Sequence, residues 1–209
     1  VEELVDKLGL SYQRCILVPG NHDVQDRSDA YEDQVTADGK KVTVRSIENF
    51  PKRFEQFSKL FYHKIVQKKY PLTYAEQGIA CLFPDTGIQF LTLNSAWQID
   101  QYGRKKSGME PSAVAHVIRD ADRQRDAAVE RGDLKAENKL LRIGVWHHAS
   151  SGPEMIRDEH YLSNLKKADM RICLHGDVHE MRSDLIGYRR PGQKVDVVGA
   201  GSFGSIAEG

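Results

Sequence analysis

Five of the chain's eight histidines fall in three short clusters, each at or just past the end of an apolar run. The first cluster is Pro19-Gly20-Asn21-His22-Asp23, after residues 14–18. The second is Trp146-His147-His148, closing residues 143–146. The third is His175-Gly176-Asp177-Val178-His179, after residues 171–174. An amide oxygen, imidazole nitrogens and carboxylates brought together make a mixed nitrogen and oxygen donor set, suited to a divalent transition metal. Cys15, Cys81 and Cys173 are too widely dispersed for a zinc finger. Taken singly, each cluster has a plainer role: a His-His pair as structural or surface residues, Gly-Asn-His-Asp as an Asx-type turn after a strand. Three of them on three strand ends point to a metal site, because loops at the strand ends of an α/β sheet converge on one crevice.

The elements that must position these residues can be read from periodicity and turn residues. Residues 1–8 carry a helical pattern that Gly9 ends, and residues 14–18 read as a short strand stopped by Pro19-Gly20. Residues 26–41 are polar, with Asp38-Gly39 as the turn signal. Over residues 47–65, Phe50, Phe54, Phe57, Leu60, Phe61 and Ile65 recur at helical spacing, which predicts a helix with a buried stripe. Residues 79–83 and 88–93 read as an antiparallel hairpin through Pro84-Asp85-Thr86-Gly87, followed directly by Asn94, Ser95 and Ala96. Residues 110–131 form a charged amphipathic helix, and 143–146, 171–174 and 195–198 are three further strands. No repeat, low-complexity tract or linker interrupts the pattern, so residues 1–209 read as one α/β domain. Within it, segment 26–74 is long enough to cap the site. Its Lys40, Lys41, Lys64, Lys68 and Lys69 read as a solvated face that could also approach an anion. His63, His116 and His160 sit in helical contexts and read as surface residues.

Composition narrows the class. Thirty Lys and Arg against thirty Asp and Glu give zero net charge, which leaves a dedicated nucleic-acid binder without electrostatic support. No apolar run approaches the roughly 20 residues of a membrane helix, and no signal peptide opens the chain. An odd, dispersed set of cysteines reads as free thiols in a reducing compartment, so a soluble, cytoplasmic protein is expected. Both ends read as cut: a helical pattern begins at Val1 with no cap before it, and the stretch ending at Gly209 trails off without a terminal element. The expectation is a segment of a longer protein, whose further domains would influence its partners.

Together these motifs resemble the calcineurin-like metallophosphoesterases of bacterial type, over residues 15–203. Gly20-Asn21-His22 matches the family's GNH motif and His147-His148 its single- or double-histidine motif. Gly176-Asp177-Val178-His179 matches GHxH with one change, Asp177 standing for the first histidine. Leu93-Asn94-Ser95-Ala96 and Val198-Gly199-Ala200-Gly201-Ser202-Phe203 also look like bacterial members. The resemblance implies two mixed β-sheets packed face to face as a sandwich flanked by helices, the metallo-dependent phosphatase fold. It implies two divalent metal ions, Mn, Fe or Zn with Mn foremost. The implied reaction is hydrolysis of a phosphate ester, a phosphodiester before a monoester, by a hydroxide that the two metals activate. A cyclic nucleotide, a nucleic-acid end or a small phosphodiester would all suit such a centre.

In that scheme Asn21 and His147 hold one metal and His179 the other. His22 is not a ligand: it faces the phosphate, stabilising charge or protonating the leaving oxygen, while Asp23 fixes its tautomer. Asp177 enters as a carboxylate ligand in place of an imidazole, with His175 as the alternative. His148, Asn94 and His175 are the candidates for substrate contact, Asn94 having a strand-end hydrogen bond as its other reading. The family's DxH motif and the GD motif with the bridging aspartate belong upstream of GNH, and neither is among the twenty residues before Asn21. With about three expected ligands missing, the domain reads as incomplete at both ends and, taken alone, as weakly active or inactive. The rival expectation is a non-catalytic regulatory or binding module that keeps the fold without its metals. Asp177 and the missing motifs favour that rival. Asn21, His22, Asp23, His147 and His179 speak against it, since a bare scaffold needs no polar groups at its strand ends.

Overall fold

A computed structural model of the chain describes residues 2–9, 11–150, 155–156, 160–178, 182–187 and 194–201. In chain order, helix α1 (Glu2–Lys7) is followed by strands β1 (Tyr31–Val35) and β2 (Lys41–Arg45), then by the short helix α2 (His63–Val66). Strands β3 (Gly78–Phe83) and β4 (Ile88–Leu93) precede the long helix α3 (Pro111–Glu130). Strand β5 (Leu141–Trp146), helix α4 (His160–Lys167) and strands β6 (Ile172–Val178), β7 (Arg182–Gly187) and β8 (Lys194–Gly201) complete the α/β fold.

Six strands make one mixed sheet in the order β3-β4-β5-β6-β8-β7. β3 and β4 form the expected antiparallel hairpin, with Gly87 at φ +67° in the turn between them. The next three pairings, β4–β5, β5–β6 and β6–β8, are parallel, and β7 returns antiparallel to β8. The parallel strands therefore end on one side, and the second and third histidine clusters sit at those ends, while Asn21-His22-Asp23 lies on a 3-10 turn. Alternation along the strands sends Ala80, Leu91, Leu93, Trp146, Cys173, Val195 and Val197 to one face. That face buries against Val114, Val117 and Ala121 of α3 and Tyr161 and Leu165 of α4. Helix α3 starts where Glu110 accepts the Ala113 amide at 2.7 Å. It approaches so closely that a methyl on Gly78 would meet the Ala113 carbonyl at 2.3 Å. On the opposite face, Phe90, Val145, Ile172, Leu174 and Val198 are only half-buried. Near β3 that face is covered by Leu17, Phe57, Tyr62, Val66 and Tyr70.

Four local expectations change. Residues 14–18 form no strand: Tyr12–Arg14 is a single 3-10 turn, and the chain after it is extended at Cys15 but joins no ladder among the described residues. An apolar run dictates extension, whereas a strand also needs a neighbouring edge. Residues 26–41 are more than a polar loop, because β1 pairs antiparallel with β2 across Asp38-Gly39 in an exposed two-stranded ribbon. Residues 47–65 are helical but broken, as a 3-10 segment (Phe50–Phe54), a π segment (Phe57–Tyr62) and α2. Pro51 lacks an amide donor and starts that sequence of turns. Phe50, Phe54, Phe57 and Ile65 are buried as the stripe required, but Leu60 and Phe61 are 61% and 39% exposed. Strand β7 was not foreseen. All three cysteines are free thiols, and no described helix is long and apolar enough to cross a membrane.

Candidate metal centre

The β5–β6 ladder closes with Trp146 opposite His175, so the residues that follow, His147 and Gly176-Asp177, emerge side by side. Asn21 reaches them from a 3-10 turn, Asn21–Asp23, whose Gly20 amide donates to Asp23 Oδ2 at 2.8 Å. The His22 amide donates to Asn21 Oδ1 at 3.1 Å and so holds the side-chain carbonyl in place. His147 Nε2 then lies 3.1 Å from Asn21 Oδ1 and 3.5 Å from Asp177 Oδ1. Gly20 allows this approach: a methyl there would sit 2.9 Å from three atoms of the His147 ring. Ligand atoms of His147, His148 and Asp177 all lie within 4.8 Å of one another.

Asp177 owes its aim to irregular backbone. The β6–β8 register shifts between His175 and Val178, and Asp177 takes φ +57°, a left-handed conformation that costs an ordinary residue roughly 1–2 kcal/mol. A bulge of this kind redirects a side chain at the end of a strand.

Burial lowers the His147 pKa, against the opposing pull of the Asp177 and Asp23 carboxylates, while His22 and His175 add to the lowering. A neutral imidazole is the form that binds a metal. Burial, helped by neighbouring His147, takes His148 down to about 3. Its ring stands edge-on to that of His147, with centroids 4.9 Å apart.

The other expected site residues divide by exposure. His22 is exposed beside Asn21. Asp23 engages the Gly20 amide, whereas the expectation gave its carboxylate to the His22 ring. His148, Asn94 and His175 are 2%, 3% and 4% exposed, too little for open contact with a substrate. Asn94 donates to Gln77 Oε1 at 2.7 Å and accepts the Ala96 amide at 2.8 Å, the strand-end bond that was its other reading. His175 Nδ1 is 2.7 Å from the Gly176 carbonyl oxygen. His179 lies outside the described residues, as do Ser202 and Phe203 of the glycine-rich run. Of the remaining histidines, His63 is exposed and His116 is half-buried, 3.2 Å from the Gly78 carbonyl oxygen. The side chain of His160 lies outside the described residues. Lys40 pairs with Asp38, and Lys41, Lys64, Lys68 and Lys69 are exposed.

Sequence reasoning gave no role to Ser95. Its buried hydroxyl oxygen accepts the His147 amide at 3.2 Å and the His148 amide at 3.0 Å, and lies 2.8 Å from His148 Nδ1. Its signals in the sequence were its place after a strand and its part in the Leu93-Asn94-Ser95-Ala96 stretch.

The donors fit a divalent cation. One imidazole nitrogen, one amide oxygen and one carboxylate oxygen converge from three distant parts of the chain, beside Gly20, whose lack of a side chain leaves the His147 ring room. No family model matches the chain, and no curated protein matches it.

Proposed function

We propose that the chain is a metal-dependent phosphoesterase domain of the calcineurin-like type, acting on a phosphodiester in preference to a monoester. The observation that carries this reading is the meeting of Asn21 Oδ1, from a 3-10 turn, and Asp177 Oδ1 at His147 Nε2, where β5 and β6 end. Asn21, His147 and Asp177 would hold divalent metal, Mn before Fe or Zn, with His179 the expected donor to a second ion. Divalent cations there supply charge that polarises a phosphoryl oxygen and lowers the pKa of water.

The protein's own residues do the rest. His147 is kept neutral by burial, so its Nε2 lone pair is available. The Asp177 carboxylate replaces a neutral imidazole, which lowers the charge of the centre and favours harder cations. His22 is exposed next to a donor, placed to stabilise phosphoryl charge or to give a proton to the leaving oxygen. Asp23 holds the turn that carries both. Zero net charge favours a small phosphodiester or a cyclic nucleotide over a long nucleic acid. The half-buried apolar face across β4, β5, β6 and β8 is the kind of surface that a second sheet covers, which supports the sandwich. Free thiols suit the cytoplasm.

A non-catalytic module is the second reading, favoured by the carboxylate at position 177 where the family's motif has an imidazole. Elemental analysis after purification with Mn²⁺, followed by assays on bis(p-nitrophenyl) phosphate and p-nitrophenyl phosphate, decides between them. Bound metal with faster diester hydrolysis is expected. Absence of both bound metal and turnover would leave the module, and bound metal without turnover of either ester would overturn the phosphoesterase reading while keeping the centre.

A further inference from the structure

Beyond the last ladder pairs of β5, Thr92 with Val145 and Trp146 with His175, the amides of His147 and His148 have lost their neighbouring strands. Both find the Ser95 hydroxyl instead, at 3.2 and 3.0 Å. A hydroxyl has two acceptor lone pairs and one proton. With both lone pairs taken by amides, the proton goes to the third neighbour, His148 Nδ1 at 2.8 Å. Nδ1 is then an acceptor, and the ring proton of the neutral imidazole falls on Nε2, a buried nitrogen with no hydrogen-bond partner among the described residues. Ser95 is fully buried and cannot drift from this role. Its carbonyl accepts the Gly108 amide at 3.0 Å, and the peptides either side are tied by the Asn94–Ala96 and Asn94–Gln77 bonds.

We propose that Ser95 is the positioning residue of the centre: one hydroxyl fixes the backbone that aims His147 at Asn21 and Asp177 and selects the Nε2–H tautomer of His148. This rests on the metal-centre reading for His147, while the tautomer of His148 stands apart from it. Ser95 touches neither substrate nor metal and acts through the two histidines. Without it, one buried and one part-buried amide lose their acceptor and the His147 peptide is free to turn.

The test uses the full 209-residue chain and its Ser95→Ala and Ser95→Thr variants, with Mn²⁺ as the probe. Long-range ¹H–¹⁵N spectra of the imidazoles should place the His148 proton on Nε2 in the unmutated chain and in Ser95→Thr, and show a mixture of tautomers in Ser95→Ala. Mn²⁺ affinity, read by electron paramagnetic resonance, should fall about 10- to 100-fold in Ser95→Ala and largely return in Ser95→Thr. A purely structural serine would lower the unfolding temperature and leave both readouts unmoved. If Ser95→Ala does not fold, Ser95→Cys, close in size and a poor acceptor, takes its place. A proton on Nδ1 in the unmutated chain, or unchanged tautomer and affinity in Ser95→Ala, overturns the proposal. Failure of the unmutated chain to bind Mn²⁺ overturns the metal reading and the aiming of His147 with it, and the spectra still decide the assignment for His148.

Discussion

Gly20 is where the first histidine cluster meets the second. Its φ of −107° suits any residue, so what a side chain would cost there is contact with the His147 ring and not backbone strain. Gly20→Ala should therefore leave the unfolding temperature nearly unchanged in the presence of chelator and weaken Mn²⁺ binding by about tenfold or more, measured by titration. His22 predicts the opposite division. It is exposed and donates only its amide to Asn21, so His22→Ala should keep the metal and lower turnover by roughly 10²- to 10⁴-fold. Loss of metal in that variant would make His22 a ligand. Asp177 combines its proposed role as a ligand with local strain. Asp177→Gly, relieved of the left-handed penalty, should gain about 1 kcal/mol in metal-free denaturant unfolding and lose most of its Mn²⁺ affinity. Asp177→His should keep or raise that affinity.

Among the elements, those with unambiguous local signals were legible. Pro84-Asp85-Thr86-Gly87 between two apolar runs can only turn back, and it joins β3 to β4. Pro111 one residue after Glu110 starts α3 as its spacing required. Residues whose fate depends on a partner were not legible. Arg14 and the apolar residues after it were read as a strand and joined none, while Arg182–Gly187, with polar residues at its start, became β7 because β8 offered it an edge. The site divides in the same way. The sequence singled out Asn21, His147 and Asp177 by residue type, although only the latter two lie where strands end and Asn21 lies on a 3-10 turn, and the buried hydroxyl of Ser95 acts through distances that no spacing encodes. At the centre of the core, Leu91 of β4 is wholly enclosed against α3. Leu91→Ala should cost about 2–5 kcal/mol in denaturant unfolding, and a smaller loss would mean that α3 collapses into the space.

For the whole molecule, the buried His148 is one of the groups that shape acid stability. The folded state holds the His148 pKa at about 3, against about 6.5 for an exposed histidine. Between those values the unfolded chain binds the extra proton, so this contribution to stability is complete above about pH 6.5 and is lost as pH falls toward 3. Unfolding free energies measured in chelator should decline across that window, at most by about 1.4 kcal/mol per pH unit from this group. His148→Gln should flatten the decline; an equally steep curve in that variant would assign it to other groups. The centre also has a place in time. Asn21 and His147 are 126 positions apart in the chain, so their meeting requires a very long loop to close, an event that comes late in folding. A cation held between them would arrive too late to speed folding, and its effect would be on the reverse step, as a latch that slows the protein's opening.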